Sequence, residues 1–196
     1  MIATEKMETQ KAALLHYVVD PRASRFTVQA FATGVLSAMG HNPKIGIRAF
    51  SGAVDFNAEA AEAREFRLVV QASSLGVLDD ISDKDRREIE RLMNEQVLVP
   101  AKYPEITYEA PAVSITRLES ALFSAAINGT LSFHGASHNQ PITARIAVFD
   151  GMLRASGEFT MRQSDYGIKP ISVAAGALKV KDELKFSFEM VAREQA

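Results

Sequence analysis

The sequence predicts an all-β chain in which eight antiparallel strands close into a barrel around a cavity, with one amphipathic helix. Three observations carry this. Apolar and polar residues alternate in long runs over most of the chain, the period of a strand with one buried face. Glycines and alanines recur inside those runs, where glycines mark bulges or the bends that let a sheet close. Only residues 83–97 switch to helical spacing. Roughly eight runs can be counted, the number at which an antiparallel sheet closes on itself and still has room for one small ligand. A two-sheet sandwich is the alternative, but small inward candidates (Ala30, Ala32, Ala49, Ala53, Ala125) leave volume that a sandwich would have to fill.

Taken in order, residues 1–13 read as a polar tail, and 14–196 as the barrel domain. Leu15, Tyr17 and Val19 share one side of a first strand that stops at the turn signal Asp20-Pro21. Residues 24–33 alternate with Phe26, Val28, Ala30 and Ala32 on one face. After the looser segment Met39-Gly40-His41-Asn42-Pro43, residues 44–57 read as one long strand containing Gly46 and Gly52. Phe66, Leu68, Val70 and Ala72 align in the next. The helix places Ile89, Leu92, Met93 and Gln96 on one side. Ser82 is its expected N-cap and Asp85 the capping-box partner. That helix is either a lid or plug, or simply the cover of an open sheet end. Strand character resumes at 105–109, and residues 122–133 carry Phe123, Ala125, Ile127, Leu131 and Phe133 on one face. Asp150-Gly151 is a tight hairpin signal between 143–149 and 152–161. A last strand, 178–192, alternates Leu184, Phe186, Phe188 and Met190.

Composition narrows the function classes. Of 196 residues, 22 are basic and 24 acidic, so no charge excess points to nucleic acid or an anionic membrane. There is no cysteine, hence no disulfide, thiol nucleophile or cysteine-held metal. No apolar run reaches the ~20 residues of a spanning helix, so no integral membrane segment is expected. The first eleven residues, with Glu5, Glu8 and two lysines, contain no signal-peptide core, and a cytoplasmic location is the expectation.

No motif offers catalytic machinery or a cofactor site. His134 and His138 have helical metal-pair spacing, but Gly135 places them across a turn. Asp79, Asp80, Asp83 and Asp85 lack the spacing and glycine of a calcium loop, and suit a helix N-terminus instead. No serine sits in a Gly-x-Ser-x-Gly elbow. Glu158, between Gly157 and Phe159 in a strand, either faces a cavity, where its pKa would rise, or faces solvent, which the polar alternation of Arg154, Ser156 and Thr160 favours. Phe31, Phe50, Phe56, Phe133, Phe159, Tyr166 and Ile168 are the candidates to line a tunnel, or else to pack densely with no cavity at all. His41 either donates a hydrogen bond to a ligand head group or satisfies nearby backbone.

Five blocks in order, spanning about residues 17–192, resemble the YceI-like proteins, polyisoprenoid-binding barrels of lipocalin-like shape. They are Tyr17-Val18-Val19-Asp20 with Ser24 and Phe26, the strand Phe50-Ser51-Gly52-Ala53-Val54-Asp55-Phe56, Lys102-Tyr103-Pro104-Glu105-Ile106-Thr107-Tyr108, Asn128-Gly129-Thr130-Leu131-Ser132-Phe133-His134-Gly135, and Ser164-Asp165-Tyr166-Gly167-Ile168. The resemblance implies an eight-stranded antiparallel lipocalin-like barrel holding a long isoprenoid or fatty chain, often as a homodimer. It departs from the family at Gln163, where many relatives carry Arg, and at Tyr166, which replaces a usual Phe. Non-catalytic storage or transport of an apolar lipid is therefore the expected function. A filled barrel serving a structural or regulatory partner, and a cofactor-free enzyme acting on a lipid-like substrate, are the rivals.

Overall fold

The structure, a computed structural model, describes residues 13–195. The polar tail expected at 1–13 falls outside the described residues except for Ala13. In chain order the elements are β1 (Leu15–Val19), β2 (Arg25–Gln29), β3 (Ala32–Thr33), β4 (Lys44–Ile47), β5 (Phe50–Asn57), β6 (Glu62–Gln71) and β7 (Leu75–Val77). Helix α1 (Asp83–Leu92) follows and continues as a π-turn over Met93–Leu98. Then come β8 (Glu105–Glu119), β9 (Leu122–Phe133), β10 (Ala136–Phe149), β11 (Met152–Arg162), β12 (Ser172–Val173), β13 (Leu178–Val180) and β14 (Glu183–Glu194).

Eight of these strands close a ring, β1-β5-β6-β8-β9-β10-β11-β14, every pair antiparallel, with β14 returning to β1. The expected barrel is what forms. Strand β14 shares one edge between two partners laid end to end. Val19 pairs with Ala192 in β1, and Phe26 pairs with Phe188 in β2. From β2 the sheet extends into a lip, β4 then β7. A small second sheet, β12-β13-β3, forms a flap joined through Val180 and Ala32.

Local chemistry explains the corners. His134-Gly135 and Asp150-Gly151 both take positive φ (52° and 80°, 48° and 68°), the pattern of a two-residue hairpin turn matched to strand twist. At the first turn, Asp20 Oδ1 accepts from the backbone of Arg22 at 2.9 Å. Its Oδ2 takes Arg193 Nε at 2.9 Å. That guanidinium holds the Asp20 carboxyl below the usual carboxylate range. The buried Ser24 hydroxyl accepts from Val191 N at 2.9 Å and donates to Val191 O at 3.2 Å. Together Asp20 and Ser24 staple the β1–β2 turn to β14, closing the ring where it would otherwise gape.

Several expectations need correction. Residues 44–57 are two strands, because the chain bends at Arg48-Ala49; β4 joins the lip and β5 joins the ring. Strand β8 runs on to Glu119, well past residue 109. Pro111 sits where the pairing with β9 slips between Glu109 and Val113, a bulge that needs no ladder donor from proline. Strand β10 begins at Ala136 and not at 143, and the last expected strand is split into β13 and β14. Ala49 is exposed, and in β5 it is Val54 that is buried while Ala53 is only half-covered.

The Ser82 cap forms as expected: its hydroxyl accepts from Asp85 N at 3.1 Å and meets Asp85 Oδ2 at 2.7 Å. Helix α1 lies along the free edge of β7. Glu90 Oε1 accepts from Val77 N at 2.9 Å, and Arg86 donates to Val77 O at 2.7 Å. The π-turn adds a residue to the last turn and so rotates the helical face. Val97 and Leu98 are buried beside Met93, whereas Gln96 is exposed.

Candidate functional site

Inward-facing positions of the ring strands enclose a slot of about 230 Å³ between two halves of the core, one around Phe56, Phe123 and Leu153, the other around Met93, Leu131 and Met161. That is less than the roughly 300–1,000 Å³ of ordinary small-molecule sites. Yet forty residues contribute to its wall, from Val54 in β5 to Val180 in the flap. The volume is small for the extent of its wall. Period 2 builds it: Phe26 and Val28 from β2, Phe66, Leu68 and Val70 from β6, and Phe186, Phe188 and Met190 from β14. Ile89, Met93, Val97 and Leu98 complete the wall from the helical side.

Position 129 is inward by alternation, but as a glycine it leaves room for the Tyr108 ring. The Tyr108 hydroxyl donates to Gln140 O at 2.8 Å and accepts from Gly129 N at 3.0 Å. Burial pushes its pKa up to about 12.

The eight candidates named from sequence divide into three groups. Phe56, Phe133 and Phe159 line the chamber. Phe50, Tyr166 and Ile168 are buried outside its lining. Phe50 packs edge-on against Phe26 at 4.7 Å, which takes the place on the wall. Tyr166 packs on Phe133 at 5.7 Å and on His138 at 5.0 Å. The Ile168 N–H caps the Gln163 carbonyl at 3.1 Å. Phe31 and His41 are away from the chamber. Phe31 lies under Lys181 Nζ, 5.7 Å from the ring centroid, and His41 Nε2 lies 3.5 Å from Asp85 Oδ2. Of the alanines expected inward, Ala30 lines the slot, Ala125 is fully buried in the core, and Ala32 belongs to the flap.

Sequence reasoning had aligned Phe26, Phe66, Phe186, Phe188 and Met190 on strand faces without proposing them as site residues. Their signal was the alternation itself. Gln163 was missed as well. It is only 2% exposed, lines the chamber, and donates from Nε2 to Lys181 O at 2.9 Å.

Reactive groups lie elsewhere. His134 Nδ1 donates to Val97 O at 2.8 Å. Glu158 faces outward and pairs with Lys185 at 2.9 Å. Among the described residues no three His, Cys, Asp or Glu side chains gather as a metal site, and no helix is long and apolar enough to cross a membrane. Fold and site together define a closed antiparallel barrel built around an apolar slot.

The YceI-like domain model matches residues 17–192, and the chain belongs to that family. Solved structures share the fold at low sequence identity. BcnA of Burkholderia cenocepacia is 16% identical with a TM-score of 0.64, over 88% of this chain and 98% of that one. A polyisoprenoid-binding domain from Saccharophagus degradans, implicated in plant cell wall breakdown, is 13% identical with a TM-score of 0.66, over 93% and 99%. A YceI protein of Campylobacter jejuni is 16% identical with a TM-score of 0.61, over 80% and 88%. No curated protein matches the chain by sequence.

Proposed function

We propose that this chain binds one long apolar lipid, of the isoprenoid or fatty class, in the barrel slot and releases it unchanged. The observation that carries the proposal is the wall itself: forty lining residues, none of them charged, around a narrow space. Such a wall offers a slender hydrocarbon the burial it lacks in water, about 0.8 kcal/mol for each methylene. A barrel packed to its axis would leave no slot. The family and the fold shared with a polyisoprenoid-binding domain support the same reading. The lining, in which no nucleophile stands beside a base among the described residues, supports storage or transport over catalysis.

Native mass spectrometry of the purified chain tests this. A carrier arrives with a lipid-sized mass adduct that organic extraction releases intact. A bare chain that also takes up no added long-chain lipid overturns the proposal in favour of a filled barrel. Lipid that emerges chemically altered after incubation overturns its non-catalytic part.

A further inference from the structure

Five lining residues have side chains with polar atoms: Thr27, Thr107, Tyr108, Gln163 and Ser187. The Thr27 and Ser187 hydroxyls pair with each other at 2.7 Å. The Tyr108 hydroxyl is occupied on both sides by Gln140 O and Gly129 N. Thr107 alternates with the inward Ile106 and Tyr108 along β8, so its side chain takes the opposite face. Gln163 differs. Its backbone N donates to Asp182 O at 3.0 Å and its Nε2 to Lys181 O at 2.9 Å, so the residue is fixed in place. Its Oε1 accepts no hydrogen bond from the described residues. Among the described residues no fully buried side-chain oxygen or nitrogen lacks a partner, so Oε1 keeps accessible surface on a residue only 2% exposed.

We infer that the chamber selects an amphiphile with a single uncharged, hydrogen-donating head, such as a long-chain alcohol or primary amide, and that Gln163 Oε1 receives that head. This rests on the chamber being the lipid site. An ionised carboxylate or phosphate entering the slot would leave water with no cation to meet it, the costly case for a buried charge. Lys169, Lys179 and Lys181 border an open cleft on the flap that shares Val180 with the chamber, and none of the three lines the chamber wall. A neutral donor meets an acceptor that is already positioned.

The test is displacement of 1-aminoanthracene from the full chain at pH 8 by oleyl alcohol, oleamide, oleate and 1-octadecene, which share one chain length. Oleate should bind about a hundredfold or more weaker than the alcohol, because only the neutral acid is admitted and at pH 8 fewer than about one molecule in a thousand is neutral. Gln163→Leu should weaken oleyl alcohol about five- to tenfold, the worth of one neutral hydrogen bond, and leave 1-octadecene unchanged, which also reports that the variant is folded. Oleate binding as tightly as the alcohol, and losing that affinity in high salt, would overturn the neutral head while leaving the lipid chamber intact. Equal loss of alcohol and octadecene in a folded Gln163→Leu variant would remove the role of Gln163. Failure of all four to displace the probe would sink the chamber reading and this inference with it.

Discussion

The Tyr108 ring occupies the space that a side chain at Gly129 would need, and the Gly129 N–H donates to the Tyr108 hydroxyl at 3.0 Å. A Cβ on residue 129 would lie 2.6 Å from that hydroxyl. Gly129→Ala should therefore destabilise the barrel by about 1–3 kcal/mol, as overpacking does, in denaturant unfolding. Unchanged stability would show that the ring can retreat.

Tyr108 also sets an alkaline limit. Its pKa is pushed up to about 12 by burial, so the folded state holds a proton that the unfolded chain releases near the ordinary tyrosine value of about 10. Its contribution is fully present below that ordinary value and is lost as pH rises from there through the folded one. Ultraviolet titration should show a tyrosine ionising later than the rest, and Tyr108→Phe should flatten the alkaline fall in melting temperature. A Tyr108→Phe variant with the same alkaline profile would place the effect elsewhere.

The staple at Ser24 and Asp20 should act as a seam. Ser24→Ala leaves the Val191 N–H without its side-chain acceptor in a buried place, at a cost of about 1–3 kcal/mol. The Asp20 carboxyl is held below its usual range chiefly by Arg193, so its contribution is present above the ordinary carboxylate pKa and fades as pH falls through the lowered one. Asp20→Asn should make acid unfolding less steep. An acid limb identical to wild type would assign the transition to other carboxylates.

Bulk placed on the chamber wall should compete with the ligand. Ala144 is 2% exposed and lines the slot, whereas Ala32, small and nominally inward, sits in the flap. Ala144→Phe should lose the lipid adduct in native mass spectrometry while the near-native β signal in circular dichroism persists. A variant that unfolds and a wild type that carries no lipid would together describe a filled barrel.

Much of the wall was legible because strands obey a period of two. Phe26, Val28, Ala30 and the run Leu184, Phe186, Phe188, Met190 could be aligned from alternation alone, and all seven line the chamber. The choice among aromatics was less legible. Phe50, Tyr166 and Ile168 stand in conspicuous motifs, but their side chains support the lining from outside it. The bend at Arg48-Ala49 is fixed by Gln71 N reaching Ala49 O at 3.0 Å, a tertiary contact with no local signature. The inserted residue of the π-turn likewise moves Val97 and Leu98 inward without changing the residue types that spacing can read.

The capped edge of β7 bears on assembly. A free strand edge invites another chain to continue the sheet, and extended β proteins must prevent this. Here the Val77 N–H and C=O are already taken by Glu90 and Arg86 of α1. A strand from a second molecule would have to dislodge both side chains before it could pair there. The helix that walls the chamber thus also ends the sheet at β7.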